Sequence, residues 1–338
     1  MFLTEKEEYI LNSIIIDSKN NFCNSKFPLE KSQFSSTPSY QLNIDGFENV
    51  WLKDESDNPT GTHKDHMAWK IILIYRDLLL SKKRGQINVT LPSMSIISSG
   101  SGAIAIQTQL KKYGLPHLKV LVDLQMDSKI INVMKNIGCE VYKTDLNKKP
   151  LQLKEILFLT HNLDGFDITS GQGLGANCFY DCLSYEVLNI SPDYCFIPFG
   201  SGNLFENIIN INKREISREF HDLRFNGDID ILRNCHFLGA TTNNANSKAM
   251  KLYAPYLPFS HFNEQWIRLY KYSGFCGFQS NVYFIEESFL DKAIQYASLY
   301  NIHSEPSGIA GLALFFQMKE FIPKDKKILI VNTGKSKY

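Results

Sequence analysis

The sequence has no sustained run of charge of one sign and no long apolar run. Its 338 residues carry a formal net charge of +1, so the composition indicates neither nucleic acid nor an acidic membrane surface as a partner. Apolar stretches such as residues 71–75 are far shorter than the roughly 20 residues that cross a membrane. Residues 1–8 also lack the basic and then apolar pattern of a signal peptide. We therefore expect a soluble, cytoplasmic protein.

Cysteines at paired spacing are also missing. The chain has seven cysteines, an odd number, and they are scattered along it. This distribution is typical of proteins in a reducing compartment. Cys178 and Cys182 are one helical turn apart, but no second pair or histidine cluster follows at the spacing of a zinc site. We interpret them as small buried thiols and predict no metal site. The seven are Cys23, Cys139, Cys178, Cys182, Cys195, Cys235 and Cys276.

The apolar pattern along the chain predicts an α/β fold. Residues 1–45 have the pattern of an amphipathic helix followed by a connector rich in serine and proline. After Val50, short apolar strands alternate with helical patterns, which is typical of parallel βαβ units. Strands are predicted near residues 50–53, 95–98, 118–122, 140–142, 194–199, 236–240, 281–285 and 328–331. Helices are predicted at residues 103–113, 129–137, 204–212, 288–300 and 309–321.

These elements fall into two series, which predict two open α/β lobes. We place the crossing near residue 160, because residues 164–177 are rich in glycine and have no clear period. The smaller domain would cover residues 46–160, and the larger one residues 1–45 plus 161–338. Ligands of open α/β sheets bind where strand ends meet helix starts, so we expect the ligand in the cleft between the lobes.

The stretch Asn58-Pro59-Thr60-Gly61-Thr62-His63-Lys64-Asp65 lies between a strand pattern and a helical pattern. Apolar residues recur at helical spacing from Met67 onward, so Lys64 is predicted in the first turn of a helix. The helix dipole and the unpaired amides of that turn disfavour a cation and favour the neutral amine. A neutral lysine amine is a nucleophile toward a carbonyl group.

Two further segments have the pattern of anion-binding turns. Phe196-Ile197-Pro198-Phe199-Gly200-Ser201-Gly202-Asn203-Leu204 is an apolar strand that breaks into a glycine loop and starts a helix. Its backbone amides can converge on a phosphate at the positive end of that helix. Ser98-Ser99-Gly100-Ser101-Gly102-Ala103 has the same arrangement, with hydroxyls suited to a carboxylate, although a serine-rich helix cap has the same pattern.

Two segments nearer the C-terminus complete the set. Ser304-Glu305-Pro306-Ser307-Gly308 has the pattern of a helix start, and Val331-Asn332-Thr333-Gly334 ends the last apolar strand. In this order, the five segments resemble those of the pyridoxal-phosphate (PLP) enzymes of fold type II, the tryptophan synthase β family. Threonine synthases, serine and threonine dehydratases and cysteine synthases belong to that family. The usual run around its lysine is Asn-Pro-Thr-Gly-Ser-Phe-Lys-Asp-Arg.

The resemblance implies a role for each segment. Lys64 would hold PLP as an internal aldimine and act as the base at the α-carbon of an amino acid, with Ser99 as a second catalytic residue. The residues implied in cofactor binding, besides Lys64, are His63, Ser101, Gly200, Ser201, Gly202, Asn203, Leu204 and Thr333. Those implied in binding the substrate carboxylate are Ser98, Ser99, Gly100, Gly102 and Ala103.

The sequence departs from the family pattern at three positions. His63 stands where phenylalanine or valine is common, but histidine there is the pattern of the tryptophan synthase β subunit, in which it lies by the cofactor phosphate. His66 replaces the usual arginine. Ser101 replaces an asparagine that contacts the phenolic oxygen of the cofactor, and its shorter side chain leaves the reaction type open.

The resemblance implies a lyase or β-replacement enzyme acting on a serine-like, threonine-like or O-activated amino acid, and a homodimer. One alternative is γ-replacement on O-phosphohomoserine, as in threonine synthase, which needs a second phosphate site that His66, Arg76 or Lys129 could supply. Racemisation is another, because Ser99 resembles the residue that reprotonates the opposite face in serine racemases. A catalytically idle relative that binds a ligand and acts as a regulator is the alternative outside enzymes.

Overall fold

The computed structural model describes residues 3–19, 34–149, 151–169, 179–254 and 282–337. Its helices are α1 (Glu5–Lys19), α2 (Lys64–Lys83), α3 (Ser101–Tyr113), α4 (Ser128–Ile137), α5 (Leu153–Leu159), α6 (Asp181–Leu188), α7 (Asn203–Ile216), α8 (Ile229–Arg233), α9 (Glu287–Leu299) and α10 (Ala310–Met318). Its strands are β1 (Ser39–Ile44), β2 (Phe47–Asp54), β3 (Met94–Ile97), β4 (Lys119–Asp123), β5 (Glu140–Thr144), β6 (Phe166–Asp167), β7 (Tyr194–Pro198), β8 (His236–Thr241), β9 (Val282–Phe284) and β10 (Ile328–Asn332). No helix in these ranges is long and apolar enough to span a membrane.

The chain divides into two compact units. The first unit comprises Met1–Ser35 and Lys64–Phe179, and the second comprises Ser36–His63 and Tyr180–Lys337. Each unit has its own mainly parallel sheet with helices, so the predicted α/β class with two open sheets is confirmed.

The first unit is built on a parallel sheet in the order β5-β4-β3-β6. All four residues of β3 are buried, as expected of a central parallel strand covered on both faces. Helix α1 packs against α2 and α3. Glu7 of α1 pairs with Lys82 of α2 at 2.7 Å, and Asp17 of α1 pairs with Lys112 of α3 at 2.8 Å.

These contacts explain why the units differ from the predicted domain bounds. The prediction grouped residues 1–45 with 161–338, whereas α1 belongs with the first unit because its partners lie on α2 and α3. The predicted crossing near residue 160 also comes too early, because β6 still pairs with β3. Of the glycine-rich residues 164–177, only 164–169 lie within the described chain.

The second unit is built on a six-stranded sheet in the order β1-β2-β10-β7-β8-β9. Strand β1 runs antiparallel to β2, and all other pairs are parallel. Helix α10 approaches the sheet closely, because a Cβ added at Gly311 would lie 2.8 Å from the carbonyl oxygen of Phe196. The apolar core of the second unit contains Phe47, Phe196 and Phe315.

Most predicted elements are confirmed to within a few residues at each end. The predicted helix 309–321 is the exception in type, because α10 ends at Met318 and a 3₁₀ turn, Lys319–Phe321, follows. The predicted strand 281–285 corresponds to β9, and Asn281 itself lies outside the described residues.

Candidate active site

Lys64 is the first residue of α2, as the sequence predicted. The turn before it depends on Gly61, whose φ of 87° lies in the left-handed region that favours glycine. The Gly61 amide donates to the Asn58 carbonyl at 2.8 Å, and the Gly61 carbonyl accepts from the Lys335 amide at 2.9 Å. The turn is therefore closed on one side by its own chain and on the other by the chain after β10.

The residue before the lysine is hydrogen-bonded to the end of the last strand. The His63 amide donates to the Thr333 carbonyl at 3.2 Å, and Thr62 forms an antiparallel bridge with Gly334. The His63 ring stacks on Tyr180, with 5.4 Å between ring centroids, and the His63 Nδ1 lies 3.4 Å from the carbonyl oxygen of Thr333. Two of the predicted cofactor-binding residues, His63 and Thr333, are thus in direct contact within the second unit.

A buried polar network lies behind the Asn58 turn. Lys53 is 1% exposed, and its Nζ lies 3.3 Å from Glu55 Oε1 and 2.7 Å from Glu186 Oε2. The side-chain amide of Asn58 donates to Glu55 Oε2 at 2.7 Å. The Thr37 carbonyl accepts from Lys53, and the Thr37 hydroxyl donates to Glu55. Because buried charges must be paired to be tolerated, this network fixes the strand from which the turn departs. Sequence reasoning missed it, although two adjacent charged residues in an apolar strand pattern, Lys53 and Asp54, were a signal.

A second set of buried hydrogen bonds holds the end of β10. The side-chain amide of Asn332 donates to Asp54 Oδ1 at 2.8 Å and to the His303 carbonyl at 3.0 Å. The Gly334 amide donates back to Asn332 Oδ1 at 3.0 Å. These contacts define the position of Thr333, which is 9% exposed, between Asn332 and Gly334.

The Ser98–Ala103 loop connects β3 to α3 in the first unit. Gly100 occupies the N-cap position with a φ of 122°, another left-handed conformation. The Ser98 hydroxyl oxygen accepts from the Gly100 amide at 3.1 Å and from the Ala103 amide at 3.2 Å. Ser98 and Ser101 are half-buried, and Ser99 is exposed. Since Ser98 Oγ accepts twice, its own proton is left to donate elsewhere.

The lysine side chain lies against this loop. A Cβ added at Gly102 would lie 3.8 Å from Lys64 Cδ and 3.6 Å from Ser98 Oγ. The stem of the lysine therefore passes over Gly102, within one unit, beside the loop that the sequence assigned to a carboxylate. The absence of a side chain at Gly102 provides the space for it.

The Gly200–Leu204 loop connects β7 to α7 in the second unit. Gly202 is the N-cap of α7 and has a φ of 80°. Gly202 has no side chain with which to cap the helix, and the first-turn amides of a helix suit an anion. A Cβ added at Gly202 would lie 2.9 Å from the ring of Phe199, so the loop is shaped by the missing side chain.

The Glu305–Gly308 turn packs against the end of β10 in the same unit. The Thr333 amide donates to the Gly308 carbonyl at 3.1 Å, and Glu305 Oε2 pairs with Lys251 Nζ at 2.5 Å. The carbonyl of Lys251 would lie 3.4 Å from a Cβ added at Gly200. Lys251 therefore connects the glycine loop to Glu305, a pairing that no local sequence pattern indicated.

The structure thus gathers the predicted site residues into two groups. In the first unit, Lys64 lies with the Ser98–Ala103 loop. In the second unit, His63 contacts Thr333, and the Gly200–Leu204 loop packs beside Lys251. Within the part of the chain that the structure describes, no group of three or more His, Cys, Asp or Glu side chains is placed to hold a metal ion.

Comparison with solved structures shows the same fold at low sequence identity. A PLP-dependent aspartate racemase superposes with a TM-score of 0.65 at 14% identity, over 99% of this chain and 97% of that one. An O-acetylserine-dependent cystathionine β-synthase from Helicobacter pylori gives 0.62 at 13% identity, over 99% and 96%. A hydrogen sulfide-producing enzyme from Fusobacterium nucleatum gives 0.59 at 19% identity, over 89% and 94%.

Sequence comparison identifies the family. No curated protein matches the sequence. A family model described as pyridoxal-phosphate dependent enzyme matches residues 28–334, which is most of the chain and includes all five segments singled out in the sequence. The protein therefore belongs to the family of pyridoxal-phosphate dependent enzymes.

Proposed function

We propose that this protein is a PLP-dependent lyase or β-replacement enzyme that acts on a serine-like, threonine-like or O-activated amino acid. The observation that carries the proposal is the position of Lys64, whose side chain lies against Gly102 in the loop that begins with Ser98. An amine beside a loop of hydroxyls and helix-start amides suits a substrate that has a carboxylate next to its α-carbon.

The residues fit the chemistry of PLP, a pyridine that carries an aldehyde and a phosphate. Lys64 supplies an amine for the aldehyde, and the start of α7, where the cap residue Gly202 has no side chain, supplies amides that suit the phosphate. The backbone approaches closely at Gly202 because a side chain there would meet Phe199. We assign the phosphate to Gly200–Leu204 and His63, and the ring nitrogen to the Thr333 hydroxyl.

Lys64 has two tasks in the proposed reaction. Bound PLP withdraws electrons from the α-carbon of an amino acid and so makes its α-proton acidic. Lys64 would hold the cofactor and would then accept that proton on its amine. Orientation decides which bond breaks, so the substrate carboxylate must be fixed with the α-proton toward Lys64.

The Ser98–Ala103 loop would provide that orientation. The amides of Gly100 and Ala103 already donate to Ser98 Oγ. We therefore assign the contact with the carboxylate to the Ser98 proton and to Ser99 and the Gly102 amide, with the amides of Gly100 and Ala103 acting through Ser98. Two accepted hydrogen bonds polarise the Ser98 hydroxyl and strengthen it as a donor to an anion.

A neutral hydroxyl beside the ring nitrogen supports elimination over other chemistry. Unlike an aspartate, Thr333 does not stabilise a protonated ring nitrogen, so the electron sink is weaker. Loss of a group from the β-carbon suits a weak sink, because negative charge does not have to persist at the α-carbon. Ser101 is assigned to the phenolic oxygen of the cofactor, at a longer reach than an asparagine would have.

The substrate class is supported by similar structures. An O-ureido-L-serine synthase superposes with a TM-score of 0.64 at 14% identity, over 89% of each chain. The cystathionine β-synthase from Helicobacter pylori is described as O-acetylserine dependent. Both names concern serine with a substituted hydroxyl, so we expect O-activated serine among the substrates of this protein.

A spectral and product screen tests the proposal. The purified protein is loaded with PLP and mixed in turn with L-serine, L-threonine, O-acetylserine, O-phosphoserine and O-phosphohomoserine, with and without a thiol or sulfide. Pyruvate, 2-oxobutyrate or a thioether is the expected product, formed from one or two of these amino acids. A spectral change without any product would contradict the proposal and support a ligand-binding relative, and threonine from O-phosphohomoserine would support γ-replacement instead.

Replacing Gly202 by alanine is expected to weaken PLP binding about 10-fold or more, because the new Cβ strains the left-handed turn and displaces amides that bind the phosphate. The measurement is the dissociation constant for PLP. Gly46→Ala is the matched control, since Gly46 has a similar φ of 81° in the turn between β1 and β2 of the same unit. Equal PLP affinity in the two variants would argue against a phosphate site at this loop.

A further inference from the structure

We propose that Asp167 is a positioning residue, which holds the Ser98–Ala103 loop in place through the Thr169 hydroxyl and the Ile97 amide. The inference rests on the proposed function, because it assigns a purpose to the position of that loop. It concerns a residue that lies outside the five segments described above.

The geometry begins with the way β6 ends. Asp167 is in register with Ser95 of β3, and the Ile168 amide donates to the Ser95 carbonyl at 2.8 Å. The pairing of β6 with β3 then ends. The next contact comes from the Thr169 side chain, whose hydroxyl oxygen accepts from the Ile97 amide at 2.8 Å. Ile97 is the last residue of β3 and directly precedes Ser98. On the β6 side of β3, a side chain and not a strand therefore holds the end of β3, while on the other side the Ser98 amide donates to the Leu121 carbonyl of β4 at 3.3 Å.

Asp167 determines where that hydroxyl points. The Thr169 hydroxyl donates to Asp167 Oδ1 at 2.6 Å, and the Thr169 amide donates to the same oxygen at 3.1 Å. With its proton on the carboxylate, the hydroxyl presents a lone pair to the Ile97 amide. The Asp167 carboxylate thus holds the Thr169 hydroxyl, the hydroxyl holds the Ile97 amide at the end of β3, and the loop begins at the next residue. Asp167 acts on the loop through Thr169.

Burying the Asp167 carboxylate costs free energy. Asp167 is 2% exposed, and no described residue donates a hydrogen bond to its second oxygen, Oδ2. Burial raises the pKa of Asp167 to about 6, against the opposing effect of the hydrogen bonds from Thr169. An asparagine could accept the same hydrogen bonds at lower cost, so the charged acceptor, which binds the hydroxyl more strongly, argues for a requirement beyond stability.

Among the described residues, no other charged group accounts for the raised pKa of Asp167. Strands and helices packed on β6 are β3 and α5. β3 has no ionisable side chain, and α5 has Lys154, which is exposed, and Glu155, whose carboxylate bonds Lys149 and the Gln152 amide. Burial and Thr169 are the causes of the shift.

The test compares Asp167→Ala and Asp167→Asn with a control on the neighbouring strand, β3. Asp167→Ala is expected to raise KM for the amino acid about 10-fold at unchanged kcat, the loss typical of one buried hydrogen bond. Asp167→Asn keeps a neutral acceptor and is expected to restore KM only in part at pH 8, because a neutral oxygen binds the Thr169 hydroxyl more weakly than a carboxylate does. Ser95→Ala removes a buried hydroxyl of β3, which bonds Thr160 at 2.7 Å, and is expected to leave KM unchanged.

The pH profile and hydrogen exchange separate positioning from general stability. Below pH about 6 the wild-type carboxyl is protonated and is a weaker acceptor, so its KM rises as pH falls, whereas KM of Asp167→Asn does not follow this change. Exchange of the Ile97 amide is expected to accelerate more in Asp167→Ala than in Asp167→Asn. Unchanged KM and unchanged Ile97 exchange in Asp167→Ala, or an equal rise of KM in Ser95→Ala, would overturn the inference.

A failure of the inference about Asp167 can be distinguished from a failure of the proposed function. If wild-type protein forms no product from any amino acid, the proposed function fails, while exchange of the Ile97 amide still shows whether Asp167 holds the loop. If wild-type protein turns over and Asp167→Ala behaves like it in both measurements, the inference about Asp167 fails alone.

Discussion

Replacing Lys64 by alanine is expected to abolish covalent attachment of PLP and to lower turnover by about 10³-fold or more, the range lost with a positioned acid–base group. Lys64 is the residue at the start of α2 whose side chain lies beside the Ser98–Ala103 loop. Borohydride reduction of the loaded protein, followed by peptide mass spectrometry, is the measurement. Wild-type protein should show the cofactor mass on the peptide that contains Lys64.

Lys83→Ala is the matched control for this variant. Lys83 is the last residue of the same helix, is exposed, and lies near the negative end of the dipole, where a cation is favoured. It should keep full cofactor attachment and turnover. Product formed at wild-type rate by Lys64→Ala would show that another amine holds the cofactor and acts as base, and would refute the assignment on which the proposed function depends.

The position of Lys64 could be predicted because its signals are local. Gly61 breaks the strand pattern, and the apolar period of the helix begins within three residues of the lysine. The same holds for Gly202, where a strand, two glycines and a helix follow one another over nine residues. Local backbone requirements of this kind leave a pattern in the sequence that needs no knowledge of distant residues.

The parts that could not be predicted depend on distant residues. Asn332 bonds Asp54, which is 278 positions away, and Lys251 pairs with Glu305 across 54 positions. Helix α1 has an apolar face, but only its pairing with Lys82 and Lys112 shows which unit that face covers. Strand β6 has two residues, too few for a period, so the contact of Asp167 with the end of β3 had no sequence signal.

The backbone at Gly61 and the backbone at Gly334 approach each other closely. A Cβ added at Gly334 would overlap the carbonyl oxygen of Gly61 and lie 3.1 Å from that of Glu55. Gly334 also has a φ of 90°, which disfavours any other residue. The bridge between Thr62 and Gly334 and the hydrogen bond from His63 to Thr333 both depend on this approach.

Gly334→Ala is therefore expected to lower the free energy of unfolding by about 4 kcal/mol or more, the range of substitutions that force apart packed structure. Gly85→Ala is the matched control, because Gly85 has a φ of 72° but no described atom lies within 4 Å of its added Cβ. It isolates the backbone strain, which costs about 1–2 kcal/mol. Urea unfolding midpoints of both variants, at constant PLP, measure the difference.

The same comparison tests whether the two glycines hold the cofactor-binding residues in place. If the overlap separates Gly61 from Gly334, His63 loses its contact with Thr333, so Gly334→Ala should also bind PLP more weakly than Gly85→Ala under conditions where both are folded. A loss of stability in Gly334→Ala no larger than in Gly85→Ala would mean that the chain after β10 moves away at little cost. In that case the contact between His63 and Thr333 would not depend on the close approach of Gly61 and Gly334.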